Sequence, residues 1–324
     1  MSTVSQEALD RKNSALRQAM GPVLAAALAE PKVVEVMVNP DGAIWIERIG
    51  EGRAFSGQHM APADAERILR LVADHVGEVV TRDRPLISAT LPRSGERFQG
   101  VFMPVSSAPA FSIRKRPAVV FTLDDYVDAQ IMTADQAEVL RAAAQRRDNI
   151  LIAGGTGSGK TTLANAVLAE PAFAEDRVLI AEDTPELQCS AKDQIALLTK
   201  RTEPPVTMAD LVRASLRLRP DRIIVGEVRD GSALDMLKAW NTGHPGGLAT
   251  LHANSAREAL SRLEDLIGEV VPTVPCRAIG QAINLVAFIR RAPSGRRLEA
   301  LVRVEGWVDG DYRLSPLAGQ PPES

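Results

Sequence analysis

The sequence predicts an α/β protein in two parts: a smaller α+β N-terminal domain over residues 1–115, and a core built on a mainly parallel sheet over residues 131–324, joined by a linker at 116–130. Three observations predict this. The 324 residues exceed the ~100 to 200 usual for one domain. From Thr133 onward, β-like and helix-like runs alternate, the pattern of a parallel sheet with helices on both faces. Within that alternation, Gly154-Gly155-Thr156-Gly157-Ser158-Gly159-Lys160-Thr161 follows an apolar run and opens a helical one.

Composition narrows the function classes. Hydrophobic residues at 45% and charged residues at 24% describe a chain with enough apolar material to fold. Aromatics are only 4%, so the core must come from Ala, Val, Leu and Ile, and base-stacking platforms for single strands are disfavoured. A formal charge of −3 gives no global field for nucleic acid, leaving only short clusters such as Arg114-Lys115-Arg116, Arg146-Arg147, Arg290-Arg291 and Arg296-Arg297. Cys189 and Cys276 stand alone without CxxC spacing, which argues against structural zinc and a disulfide framework. With no apolar run near the ~18 to 20 residues of a membrane span and no basic-then-apolar start, the expected location is the cytoplasm.

The elements follow in order. Leu9, Leu16, Met20, Leu24 and Leu28 line one face of a helix interrupted at Gly21-Pro22. That face packs on its own domain or, alternatively, on a partner helix or a membrane surface. Residues 33–38 and 43–47 form a hairpin about Asn39-Pro40-Asp41-Gly42. A helix from Pro62 to Val76 carries Ile68, Leu69, Val72 and Val76 on one side, and short strands are expected at 87–91, 98–103 and 110–113. Periodicity then lapses around Pro117. In the second part, Thr133 and Gln136 have capping-box spacing before a helix to Arg147. Strands are expected at 149–153, 177–181 and 222–225, helices from Thr161 and Thr207, and a closing hairpin over 298–314 that turns at Asp309-Gly310-Asp311.

Residues 154–161 satisfy the P-loop pattern G-x-x-x-x-G-K-[ST]. Gly155, Thr156, Gly157, Ser158 and Gly159 let the backbone turn its N–H groups onto one anion at the start of a helix, reinforced by that helix's positive end and extending to Thr162. Lys160 is expected to reach the β- and γ-phosphates of ATP, and the Thr161 hydroxyl to ligate Mg²⁺.

Whether such a site hydrolyses depends on a second acidic element. Arg222-Ile223-Ile224-Val225-Gly226-Glu227 is an apolar strand ending in a carboxylate, which at a strand end can orient or deprotonate an attacking water. A second apolar strand ends at Glu182-Asp183-Thr184-Pro185-Glu186. Glu182 is the best placed of its carboxylates to support Mg²⁺, with Asp183 or Glu186 as alternatives and a plain strand-ending turn as the non-functional reading.

His244 and His252 lie nine positions apart, inclusive, with no third ligand at sensible spacing for a metal. His252 therefore reads as a strand-end donor sensing the γ-phosphate, with His244 secondary. Of Arg213, Arg217, Arg219 and Arg229 around the Glu227 strand, at least one is expected to serve phosphoryl transfer. Arg97 and Arg114 are the candidates for an N-terminal domain reaching the nucleotide.

In their order along the chain, the P-loop, the acidic box at 182–186, the Leu218-Arg219-Pro220-Asp221 to Gly226-Glu227-Val228-Arg229 element and the His box at 244–254 resemble the hexameric secretion and traffic ATPases, in the type IV secretion branch. Val38-Asn39-Pro40-Asp41-Gly42 and Phe111-Ser112-Ile113-Arg114-Lys115 extend the likeness into the first domain. The resemblance implies a RecA-like P-loop NTPase core. It also implies a homohexamer at the cytoplasmic face of the inner membrane, meeting inner-membrane components of a secretion channel, with peripheral membrane contact possible and nucleic acid not required. The implied activity is ATP hydrolysis with Mg²⁺, in which Lys160 and Thr161 hold the phosphates and metal, Glu182 supports the metal, Glu227 activates water, His252 contacts the γ-phosphate region and Arg229 assists. The rivals are a nucleotide-gated scaffold with little turnover and a DNA-translocating ATPase.

Overall fold

A computed structural model describes residues 3–49, 51–91, 94–115, 120–200, 203–292 and 295–317. The chain divides into two compact units, Met1–Ala118 and Val119–Ser324. In the first, α1 (Thr3–Ala29) is broken at Gly21, whose φ of 68° is non-helical, where the sequence placed an interruption. Then follow β1 (Val33–Val38), β2 (Ala43–Arg48), β3 (Gly52–His59), α2 (Pro62–His75), β4 (Leu86–Thr90), β5 (Arg97–Val101) and β6 (Ala110–Arg114). Among the described residues these strands form one antiparallel sheet in the order β3-β2-β1-β6-β5-β4. The helices cover one face: Leu16, Met20 and Leu24 of α1 and Ile68, Leu69 and Val72 of α2 share a core with Val36, Ile44, Phe98 and Ile113. The sequence did not predict β3, a mostly exposed edge strand without the apolar alternation that marks half-buried strands.

The second unit opens with α3 (Leu123–Asp128), inside the stretch read as linker. Thr122 and Asp125 form a capping box there, and buried Leu123 and Tyr126 pack with Leu140 and Leu163. Arg116 and Pro117 lie outside the described residues. Then come α4 (Ala134–Arg146), capped by Thr133 and Gln136 as the spacing predicts, β7 (Ile150–Ala153), α5 (Lys160–Leu168), β8 (Arg177–Glu182), β9 (Asp193–Leu198), α6 (Met208–Ser215) and β10 (Arg222–Val228). The unit closes with α7 (Ser232–Asn241), β11 (Leu248–Leu251), α8 (Ala256–Gly268), α9 (Cys276–Ala282), β12 (Leu285–Ala292), β13 (Gly295–Val308) and β14 (Asp311–Pro316).

The described strands of this unit form a sheet ordered β14-β13-β12-β7-β11-β10-β8-β9. From β12 to β9 every neighbouring pair is parallel, and β13 and β14 add antiparallel edge strands. Both faces are covered. One apolar cluster joins α6, α7 and α8 to Ile223, Val225 and Ala249; the other joins α3, α4 and α5 to Ile150, Ile152 and Ile224. Burial on both sides explains why these strands read as continuous Val, Ile and Leu runs rather than alternating ones. No helix among the described residues is long and apolar enough to cross a membrane.

Candidate nucleotide site

The parallel arrangement brings the C-terminal ends of β7, β11, β10 and β8 to one rim, the edge at which open α/β sheets bind ligands. At β7 the chain leaves Ala153, turns through 154–159 and enters α5 at Lys160. Gly159 at the helix start has φ 99°, a left-handed conformation that a side chain would strain. No side chain caps α5, so the N–H groups of its first turn and its positive end face an incoming anion without competition from a cap. Lys160 Nζ folds back over the loop and donates to the Gly154 and Gly155 carbonyls at 2.9 and 3.0 Å. Gly155, Thr161 and Thr162 are half-buried, while Thr156 and Gly157 are exposed at the turn. Ser158 is 2% exposed and its hydroxyl has no partner among the described residues, the kind of vacancy a bound oxyanion or water fills.

Glu182 ends β8 and is 4% exposed. Its Oε1 accepts from the Glu186 and Leu187 N–H groups at 3.0 and 2.9 Å, closing the acidic loop on itself. The side chain leans across the neighbouring strand: a Cβ on Gly226 would come within 2.8 Å of Glu182 Cγ. Gly226 is therefore required by close approach, and its carbonyl accepts from Thr250 Oγ1 on β11 at 2.6 Å. Asp183, the alternative acid, is exposed and accepts from Thr199 Oγ1 at 2.8 Å. Glu227 is half-buried near the end of β10, and its Oε2 accepts from Arg229 Nε at 2.6 Å and also from Arg229 Nη2.

Asn165 was not singled out by sequence reasoning, yet it fastens the two sides together. From α5, one turn beyond Thr161, its Nδ2 donates to the Glu186 carbonyl at 3.1 Å and its Oδ1 accepts from the Gln188 N–H at 2.9 Å. At 1% exposure it is a buried amide bonded through both its nitrogen and its oxygen, joining the P-loop helix to the acidic loop. A polar residue inside an otherwise apolar helical face was the available signal. Arg296 was noted only as part of a basic cluster; its Nε and Cδ lie 3.2 and 3.0 Å from where a Cβ on Gly159 would sit, so β13 flanks the P-loop. Nearby Cys189 follows the acidic loop, and burial pushes its thiol above the ordinary range, which does not suit a nucleophile.

The two box histidines separate. His252 follows β11 at the P-loop rim and is exposed. His244 precedes β11, and its Nδ1 lies 3.0 Å from the Pro220 carbonyl, just before β10 begins. A strand lies between the two rings, so His244 belongs to the opposite rim and its secondary role at the phosphate is withdrawn. In the first unit, Arg97 and Arg114 sit directly opposite each other on β5 and β6. Neighbouring guanidinium groups repel, and an anion between them relieves that cost.

The donors at the rim are oxygens, from the Thr161 hydroxyl and the acidic loop, as a hard cation such as Mg²⁺ requires. Among the described residues no three His, Cys, Asp or Glu side chains gather into a metal cage, so phosphate oxygens and water would complete the shell.

The sequence model described as "Type II/IV secretion system protein" matches residues 73–299, well over half the chain. The chain belongs to the type II/IV secretion system protein family. The match runs from the end of α2 into β13 and so draws on both units. Conjugal transfer protein TrbB of Rhizobium radiobacter is 48% identical over 305 residues, covering 94% of this chain and 93% of that protein. The type IV secretion system protein PtlH homolog of Bordetella bronchiseptica is 34% identical over 305 residues, covering 83% and 89%. These relatives put this secretion-system protein on the type IV, conjugal-transfer side of its family. In fold it is similar to the X-ray structure of the Legionella pneumophila ATPase DotB, with a TM-score of 0.60 at 18% identity over 94% of this chain and 81% of that one.

Proposed function

We propose that this protein is the ATP-hydrolysing motor of a type IV secretion or conjugation system, acting as a homo-oligomer, a hexamer in the arrangement expected from its sequence, at the cytoplasmic face of the inner membrane. Its work is assembly of the channel or pilus, or transfer of substrate through the channel. The observation that carries the reading is the fastening of the acidic loop to the P-loop helix by Asn165, on the same rim as Glu227 and His252.

On this reading Lys160 exchanges its loop carbonyls for the β- and γ-phosphate oxygens, a stronger charge-assisted pairing. The amides from Gly155 to Thr162 hold the polyphosphate by their N–H groups. The Thr161 hydroxyl would hold Mg²⁺ with support from Glu182, and the ion would supply charge neutralisation for the phosphates. Glu227 orients the attacking water and draws its proton as the new O–P bond forms, while the bond from the γ-phosphorus to the bridging oxygen breaks and that oxygen leaves with ADP. His252 donates to the terminal phosphoryl from β11, and Arg97 and Arg114, paired across β5 and β6, offer positive charge to an anion.

Glu227→Gln tests the assignment. The expected result is ATP binding within about twofold of the parent and turnover lowered by roughly 10²- to 10⁴-fold, the usual worth of a general base. Turnover that survives the substitution overturns the role of Glu227. A variant that loses turnover yet still supports conjugation identifies a nucleotide-gated scaffold instead.

A further inference from the structure

Arg229 was expected from the sequence to assist phosphoryl transfer directly, and its contacts describe a different task. Glu227 and Arg229 flank Val228 and lie on the same side of the chain at the end of β10, where Arg229 Nε donates to Glu227 Oε2 at 2.6 Å and Nη2 to the same oxygen. The remaining arm of the guanidinium, Nη1, is 3.7 Å from Asp183 Oδ2 at the end of β8. Asp183 accepts at its other oxygen from Thr199 Oγ1 at 2.8 Å, which steadies it as a second station for the arginine. A cavity of about 300 Å³ borders Asp183, Thr199, Glu227 and Arg229 and gives the guanidinium room to rotate between the two carboxylates.

We propose that Arg229 is a positioning residue for Glu227, a counter-ion shared between Glu227 and Asp183. Without a nucleotide it holds the Glu227 carboxylate. When that carboxylate turns to the attacking water, Arg229 passes to Asp183, whose charge receives it. Because two arms of Arg229 hold the one oxygen Oε2 and so fix the orientation of the Glu227 carboxylate, the balance between the two stations sets how readily that carboxylate turns to the water, and with it the rate of the chemical step, and leaves nucleotide affinity alone. The proposal rests on Glu227 being the residue that activates water.

The test is a set of variants in the full chain, with single-turnover rates measured beside ATP affinity by equilibrium titration. Arg229 is half-exposed and its partner Asp183 exposed, so neither substitution opens a core, and thermal melts confirm that each variant folds. Removing a partly exposed ion pair changes an equilibrium by about two- to fivefold. Arg229→Ala frees Glu227 and is expected to raise the single-turnover rate by that factor. Asp183→Asn removes the second station and is expected to lower the rate by a similar factor, with ATP affinity unchanged in both. The double variant should match Arg229→Ala, since Asp183 acts only through the arginine, and Arg229→Lys should lie between parent and Arg229→Ala.

A fall in rate for Arg229→Ala of tenfold or more, with Glu227→Gln also inactive, overturns the proposal and makes Arg229 a direct contact of the phosphoryl group. An effect of Asp183→Asn that persists without Arg229 overturns it as well. Full turnover in Glu227→Gln instead overturns the assignment of Glu227 on which it stands, so the two failures are distinguishable.

Discussion

Gly226 and Glu182 show how a single missing methyl shapes the rim. The strand 222–228 carries glycine at 226 because the buried Glu182 side chain lies across the position a Cβ would take, 2.8 Å from its Cγ and 3.3 Å from its Oε1. Gly226→Ala is expected to push Glu182 out of its bonds to the Glu186 and Leu187 amides, costing about 1–3 kcal/mol in stability as an overpacking substitution. Turnover should fall further than stability explains, and thermal melts set beside steady-state rates make the comparison. Lys160→Ala acts earlier: with no ammonium to exchange loop carbonyls for phosphates, ATP binding itself is lost in the same titration. An unchanged ATP affinity would remove the P-loop from the mechanism.

Elements matter here through the joints between them. Asn165 is one such joint, linking α5 to the acidic loop through two hydrogen bonds at 1% exposure. Asn165→Ala removes the amide's bonds to the Glu186 carbonyl and the Gln188 N–H. The expected cost is about 1–3 kcal/mol, with the rate of hydrolysis falling more than ATP affinity because the acids, not the phosphate cradle, lose their support.

A second joint lies away from the chemistry. Arg222 at the start of β10 is 2% exposed, pairs with Asp176 at 2.6 Å, donates to the Ala144 and Ala172 carbonyls at 2.9 Å each, and stacks 4.3 Å above the Phe173 ring. Arg222→Ala removes one of two arginines from Asp176, which keeps Arg147 on its other oxygen, and leaves the Ala144 and Ala172 carbonyls without the guanidinium; the expected cost is about 1–3 kcal/mol. Denaturant unfolding measures this directly. A loss below 1 kcal/mol would show that Arg147 alone satisfies Asp176.

At the scale of the whole molecule, the even charge balance and the separation into two units bear on assembly and partners. Nothing in a net charge of −3 supplies a general field for DNA, so turnover is expected to be indifferent to added DNA and to show only a shallow salt dependence. A steep fall with salt in the presence of DNA would favour the translocase reading. Mass measurement with and without ATP and Mg²⁺ tests the ring: a sixfold assembly is expected with nucleotide, and a monomer under every condition would refute it.

Much of this was legible in the sequence, because the signals concerned are local. The P-loop announces itself through glycines and a lysine at fixed spacing. The capping box at Thr133 fixes a helix start by hydrogen bonds three residues long, and unbroken apolar runs mark strands buried on both faces. What only the tertiary structure decided depends on strand order, which no local spacing encodes. Placing β11 between β7 and β10 brings His252 to the P-loop rim and sends His244, eight residues earlier, to the other end of the strand. Packing likewise chose Asn165 as the link to the acidic loop, closed Gly226 under Glu182 and set Arg229 on Glu227. These pairings join residues brought together by the sheet, and their energy appears only once the sheet has formed.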